Sequence, residues 1–112
     1  MVQVTLCLTA TTGRAHLLVE ALLGVMRRAK QSPGCLGAHL LTDVADNGVF
    51  WYCEDWHDAR ALECRVRSEP FAQLLALMET SAAPPRLEFR TVDAVRGLEY
   101  VEALRLGGPG LD

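Results

Sequence analysis

Residues 35–56 read "CLGAHLLTDVADNGVFWYCEDW", and the fold follows from how this stretch is parsed. Two alternating runs flank "DNG" (46–48), a strong tight-turn signal, so the stretch predicts an antiparallel pair of strands. In the first run Leu36, Ala38, Leu40 and Thr42 take one face, and Cys35, His39, Leu41 and Asp43 take the other. In the second, Phe50, Tyr52, Glu54 and Trp56 alternate with Val49, Trp51, Cys53 and Asp55. Consecutive strand side chains point to opposite faces. The crowding of Cys53, Glu54, Asp55, Trp56 and His57 therefore cannot converge on one point.

Working outward, "VQVTLCLTA" (2–10) keeps a period of two, with Val2, Val4, Leu6, Leu8 and Ala10 opposite Gln3, Thr5, Cys7 and Thr9. That is a strand with one apolar and one mildly polar face. After "TTG", with Thr11 or Thr12 as the expected N-cap, the period becomes helical from about Arg14 to Gln31 through Leu18, Leu22, Val25 and Ala29. Arg27, Arg28 and Lys30 suit the C-terminal dipole, and "SPG" (32–34) ends the helix. Asp58 is placed to cap a short helix from Ala59 to about Arg65. Ser68 is placed to cap a second, with Pro70 in its first turn and Phe71, Leu74, Leu75 and Met78 as its apolar stripe. "SAAPP" (81–85) is a linker, and "RLEFRTVD" (86–93) is a fourth strand with Leu87 and Phe89 inward. "GLEYVEALRL" fits a strand or a helix equally well, and "GGPGLD" is expected to fray.

The order β-α-β-β-α-β is the ferredoxin-like α+β arrangement, a four-stranded antiparallel sheet with helices on one face. Residues 1–96 form its domain; residues 97–112 are a tail expected to contact a dimer partner before fraying. The other face would carry Gln3, Thr5, Cys7, His39, Leu41, Trp51, Cys53, Asp55 and Arg90. That set is too aromatic for open water and too polar for a plain core. A second copy of the same sheet is the economical cover, so a homodimer enclosing a cavity is expected.

Bulk properties agree with one small domain of 112 residues, half of them apolar and 22% charged. A formal charge of −3 leaves no basic stripe for nucleic acid. No apolar run reaches the ~20 residues of a membrane helix. Cys7, Cys35, Cys53 and Cys64 form no CxxC pair, and the N-terminal stretch alternates like a strand rather than reading as a secretory leader. Reduced thiols and a cytoplasmic location are expected.

The pattern "SPGCLGAHLL", "DNGVFWYCEDW" and "SEPFAQLL" resembles the antibiotic biosynthesis monooxygenase family of dimeric α/β barrels, which includes small cofactor-independent quinol and polyketide monooxygenases. The likeness runs from Val2 to about Asp93. Members often carry "xHLxSxHF" where this chain has "ECRVRSEPF", so Cys64 and Pro70 replace two histidines. The related haem-degrading branch uses an Asn, a Trp and a haem-ligating His. The corresponding places here hold Cys7, Arg65 and Leu75, and haem degradation by that route is not expected.

The resemblance and the semi-polar face together imply an oxygenase that needs no cofactor, acting on a hydroquinone or polyketide phenol. His39 and Asp55 are the candidate catalytic residues, as rival bases or as a base and its orienting partner. Trp51 would be an aromatic wall; Gln3 and Arg90 would donate to developing oxyanion charge; Cys7 and Cys53 would line the cavity. The plainer alternatives are that His39 bonds across the dimer and that Asp55 is a solvated strand-end carboxylate. Trp56 is expected to anchor the helices. Glu54 beside it needs a donor, from a helix N-terminus or an Arg. Cys7, Cys53 and His39 are the only metal-like constellation, without ligand spacing, and no metal is expected. The alternative function is a non-catalytic dimer that binds a small apolar molecule or serves assembly.

Overall fold

In a computed structural model, which describes residues 1–110, the elements are β1 (Val2–Thr9), α1 (Ala15–Lys30), β2 (Cys35–Thr42), β3 (Val49–Trp56), α2 (Ala59–Arg67), α3 (Glu69–Met78), β4 (Arg86–Thr91) and α4 (Leu98–Arg105). The strands form one antiparallel sheet in the order β2-β3-β1-β4. This is the ferredoxin-like α+β fold, with β1 and β3 central and β2 and β4 at the edges.

The core lies between the sheet and the first three helices. Leu6, Leu8 and Tyr52 meet Leu18, Leu22 and Val25 of α1 and Phe71 and Leu74 of α3. A second cluster joins Val4, Trp56, Ala29 and Leu62. Helix α1 buries its residues at helical spacing, and Arg27, Arg28 and Lys30 fill its last turn, where cations offset the helix dipole. Asp58 caps α2 by accepting from the Ala61 amide at 2.8 Å, and that hydrogen bond holds its carboxyl below the usual range.

Gly34 joins α1 to the sheet at φ +85°, and a Cβ there would meet the Ala61 Cβ at 2.5 Å. Its carbonyl accepts the His57 amide at 2.8 Å. Only glycine gives both the left-handed backbone and this close approach to α2.

Several local expectations are corrected. Neither Thr11 nor Thr12 caps α1. Arg14 occupies the N-cap without a side-chain bond, and the Thr11 carbonyl accepts the Arg14 amide at 2.9 Å. Ser68 precedes α3, but its hydroxyl donates back to the Arg65 carbonyl at 2.6 Å and closes α2 instead. The β2–β3 connection is wider than a tight hairpin, with Asp43 accepting the Ala45 and Asp46 amides at 2.9 and 3.1 Å.

The largest correction is at the start of β2. Cys35 pairs with Trp56 and Gly37 with Asp55, so Leu36 is the extra residue of a β-bulge. Cys35 consequently packs on the helix-side core, while Leu36 is 57% exposed, the reverse of simple alternation. The expected inward positions of β4 are also only partly covered. Leu87 packs against both core clusters, whereas Phe89, bordering a hollow with Leu62 and Val66 of α2, is 50% exposed. Leu75 of the α3 stripe is likewise exposed. The undecided tail forms a helix, α4, and the last two residues of "GGPGLD" lie outside the described residues.

Candidate functional site

The strand register arranges the bare face as three transverse rows. Gly37, Asp55, Gln3 and Arg90 lie in the first, His39, Cys53, Thr5 and Glu88 in the second, and Leu41, Trp51, Cys7 and Arg86 in the third. Residues opposite one another in such rows have Cβ atoms about 5 Å apart. All seven candidates, Gln3, Cys7, His39, Trp51, Cys53, Asp55 and Arg90, therefore share one face of rigid central and edge strands.

Within this face Gln3 Nε2 donates to Asp55 Oδ1 at 2.9 Å. His39 makes no such bond to Asp55; it is a diagonal neighbour, one row away. Its Cε1 lies 3.5 Å from where a Gly37 Cβ would stand, so the imidazole leans along β2 towards position 37, opposite Asp55. The Arg86 guanidinium lies 5.3 Å over the Trp51 ring, a cation–π contact on the ring expected to stack a ligand. Along β4, Glu88 accepts from Arg90 at 3.1 Å and pairs with Arg86 at 3.7 Å, and these side chains are exposed.

Burial pushes the Cys53 thiol up, the nearby Asp55 carboxylate adds to the shift, and Arg90 opposes it. Cys53 is thus a neutral thiol at physiological pH. Thr5, at the middle of the second row, is 9% exposed, and its Oγ1 has no hydrogen-bond partner. Among the described residues no group of three His, Cys, Asp or Glu side chains is placed to hold a metal ion.

The helix-covered face of the same strands is organised differently. Glu54 is fully buried and accepts four hydrogen bonds. They come from the Tyr52 hydroxyl at 2.6 Å, Trp56 Nε1 at 3.0 Å, and Arg65 through Nε at 3.3 Å and Nη2 at 2.9 Å. The Arg65 guanidinium also lies 5.5 Å over the Phe71 ring. Burial, then the Glu54 charge, pushes the Tyr52 phenol far above its ordinary range, so it stays a proton donor in this cluster. Every lone-pair direction of Glu54 is occupied. Of the two donors that sequence reasoning left open for Glu54, a helix N-terminus or an Arg, it is an Arg, Arg65, and Trp56 is the expected anchor.

Sequence reasoning missed one hollow of the chain altogether. A cleft of about 450 Å³ lies between the α1–β2 turn and α2, bordered by Pro33, Gly34, Trp56, Ala61, Cys64 and Arg65. None of the seven candidates lines it. It arises where a turn meets a helix across the sheet end, a juxtaposition with no signal in local pattern. A shallower hollow of about 310 Å³ follows β2 from Cys35 to His39 beside Lys30. No helix among the described residues is long and apolar enough to cross a membrane.

The family profile of the antibiotic biosynthesis monooxygenases matches residues 1–77. No curated protein matches the chain in sequence. Solved structures share the fold. A Deinococcus radiodurans protein assigned to the antibiotic biosynthesis monooxygenases superposes with a TM-score of 0.78 at 18% identity, covering 87% of this chain and 97% of that one. A Caulobacter crescentus protein of the same assignment gives 0.71 at 26% identity, covering 85% and 90%. A point mutant of SnoaB, a cofactor-independent oxygenase from Streptomyces nogalater, gives 0.73 at 15% identity, covering 84% and 94%. A match over more than two-thirds of the sequence, on the expected fold, settles the assignment: the chain belongs to the antibiotic biosynthesis monooxygenase family.

Proposed function

We propose that the protein is a cofactor-independent monooxygenase, working as a homodimer, that oxidises a small electron-rich aromatic such as a hydroquinone or polyketide phenol with O₂. The carrying observation is the register that gathers Gln3, Cys7, His39, Trp51, Cys53, Asp55 and Arg90 onto one uncovered face. Family membership supports the reaction class. The exposed Leu41 and half-buried Trp51, Cys7 and Cys53 support a second copy as the cover, because a lone sheet face of this composition is poorly suited to water.

The chemistry asks little of the protein if the substrate supplies all the electrons. A phenol with a free para C–H loses its hydroxyl proton to His39 or Asp55, and the phenolate transfers an electron to O₂. The radical pair recombines to form a C–O bond at the para carbon. Loss of the para hydrogen as a proton and cleavage of the O–O bond then give a quinone and one water. One atom of O₂ ends in the quinone and the other in water, and the substrate provides four electrons. A hydroquinone, whose para carbon already carries oxygen, follows the same steps at a free ortho C–H and gives a hydroxyquinone and one water. Gln3 and Arg90 offer donors to the developing oxyanion, Trp51 an aromatic wall, and Cys7 and Cys53 a surface that excludes water.

The test is oxygen uptake with a panel of hydroquinones, phenols and anthrone-type substrates, with ¹⁸O₂ and mass analysis of the product. One labelled atom in the quinone, formed well above the spontaneous rate, is the expected result; rates equal to the protein-free control across the panel reject the proposal. A second reading, a non-catalytic dimer that binds a small apolar molecule or serves assembly, has its own support. Arg86 covers the Trp51 ring and Gln3 engages Asp55, so three of the candidates, Trp51, Gln3 and Asp55, already have partners. Saturable binding of aromatics without turnover would favour that reading.

A further inference from the structure

The cleft between the α1–β2 turn and α2 has fixed walls. Ala61, Cys64, Arg65 and Ser68 recur at i, i+3, i+4 and i+7, so one face of α2 runs along it. Opposite stand Pro33 and Gly34 of the turn, with the buried Trp56 beneath. The turn is held to the start of α2 at two points. The Gly34 carbonyl accepts the His57 amide at 2.8 Å, and the missing Cβ at Gly34 lets Ala61 approach. A volume of about 450 Å³ falls within the range of small-molecule sites.

The polar groups along this cleft divide into used and unused. Asp58 accepts the Ala61 amide, the Ser32 hydroxyl donates to the Arg28 carbonyl at 3.1 Å, and the Ser68 hydroxyl closes α2. Three groups remain. The Cys64 thiol is free and exposed. Arg60 pairs with no acid among the described residues. Arg65 is only 4% exposed and directs Nε and Nη2 at Glu54, while its Nη1 has no hydrogen-bond partner among the described residues. Nη1 is not sealed in the core, because Thr5 Oγ1 is the one side-chain polar atom enclosed there without a partner among those residues. It opens on the cleft that Arg65 borders. A nucleophile thus shares one apolar-walled hollow with two cationic donors. The other three thiols are half-buried; Cys35 donates to the Gly37 carbonyl at 3.5 Å, and burial pushes Cys35 and Cys53 up.

We propose that this cleft is a covalent site for small quinones, in which Arg65 and Arg60 hold a ring carbonyl and Cys64 adds to the ring carbon conjugated with it. The site is separate from the bare face and needs no oxygenase activity. A quinone matches both halves of the cleft: its flat apolar ring suits the walls, and its carbonyl oxygen accepts from guanidinium groups. As the C–S bond forms, the ring C=C bond opens and its electron pair moves onto the carbonyl oxygen, where the cationic donors stabilise it. The thiol proton and the hydrogen displaced from the attacked carbon finish on the two oxygens. The ring ends as a hydroquinone thioether. The quinone is itself the oxidant of the step, and no other reactant is consumed.

The experiment uses the full chain. It is mixed anaerobically with 1,4-naphthoquinone, adducts are located by peptide mass analysis, and the rate is followed against quinone concentration. The expected results are one quinone per chain at Cys64, a rate that saturates, and an efficiency roughly tenfold or more above that of glutathione at the same pH. Cys64→Ser should lose the adduct with its unfolding midpoint unchanged. Arg60 is the donor to vary, because Arg65 also anchors Glu54. Arg60→Gln should slow quinone addition about threefold, while leaving the reaction of Cys64 with methyl methanethiosulfonate, which has no carbonyl, unchanged. A rate that rises linearly with quinone concentration and does not exceed that of glutathione overturns the site and leaves an accessible thiol only. Adducts at Cys7, Cys35 or Cys53 in place of Cys64 overturn it as well, as does equal slowing of both reagents in Arg60→Gln. Oxygen uptake enters none of these readouts, so the monooxygenase reading and the quinone site stand or fall separately.

Discussion

Glu54 and Asp55 are neighbours in sequence and opposites in circumstance. Under the helices, Glu54 receives four donors from three residues and is sealed from water. On the bare face, Asp55 receives one, from Gln3, and stays half-buried. A carboxylate offers about four lone-pair sites. The first is saturated and has no capacity left for a substrate, whereas the second keeps spare acceptor capacity. The difference is produced by a single residue of strand alternation combined with helices on one side only. It separates the fold's polar anchor from the surface available for chemistry.

The sharpest way to break that contrast is to unbalance the buried side. Arg65→Ala removes both guanidinium bonds and strands Glu54 in the core; the expected loss is about 3–5 kcal/mol of unfolding free energy, read by urea denaturation. Gln3→Ala, the corresponding change on the bare face, is expected to cost about 1 kcal/mol or less. Equal losses would mean that the two carboxylates are not differently anchored. A variant in which Glu54→Gln accompanies Arg65→Met should recover part of the loss, since no charge is then left without a partner.

Catalysis should sort the other way. His39→Ala and Asp55→Asn are each expected to slow turnover at least tenfold, about 1.4 kcal/mol in the barrier, while leaving the unfolding midpoint within experimental scatter. Tyr52→Phe should lower stability by about 1 kcal/mol with turnover retained at temperatures where it is folded. A His39 variant with full activity removes that residue from the mechanism. Activity lost in the Tyr52 variant while the protein is still folded would move the chemistry to the covered side.

Much of this architecture is legible because strand alternation is strict from Val2 to Thr9 and from Val49 to Trp56, and these two strands form the sheet's centre. Alternation fails where a bulge intervenes. Leu36 looks inward by counting, but the extra residue turns Cys35 in and Leu36 out. Phe89 takes the face its pattern indicates without the burial, because pattern reports which side a residue takes and not how fully a helix covers it. The need for a donor at Glu54 follows from burial alone. That Arg65 is the donor depends on the pitch of α2, eleven residues further along the chain. The shared face of His39, Asp55 and their neighbours comes from the same alternation. The Arg86 contact on Trp51 and the cleft at Gly34 do not, because both depend on three-dimensional placement that spacing does not encode. The tail is balanced between strand and helix because its short apolar pattern fits both periods, and none of the residues of α4 is fully buried.

The finest discrimination lies at Thr5, in the middle of the bare face, where the hydroxyl is enclosed without a partner. Enclosing such a group costs about 1–3 kcal/mol if nothing satisfies it. Valine keeps the branched shape that suits a strand and drops the hydroxyl. If the chain's own surroundings are complete, Thr5→Val is therefore expected to leave unfolding stability unchanged or to raise it by up to about 1 kcal/mol, measured at a protein concentration below the dissociation constant of the proposed homodimer. The same substitution measured above that concentration separates two states of the face. A gain that persists means the second copy covers the hydroxyl without bonding to it. A gain that becomes a loss means the dimer supplies the missing partner. In that second case the bare face would resemble its covered counterpart, a place where polar groups are finished by what packs on them, and Asp55 rather than Thr5 would keep the spare capacity that a substrate needs.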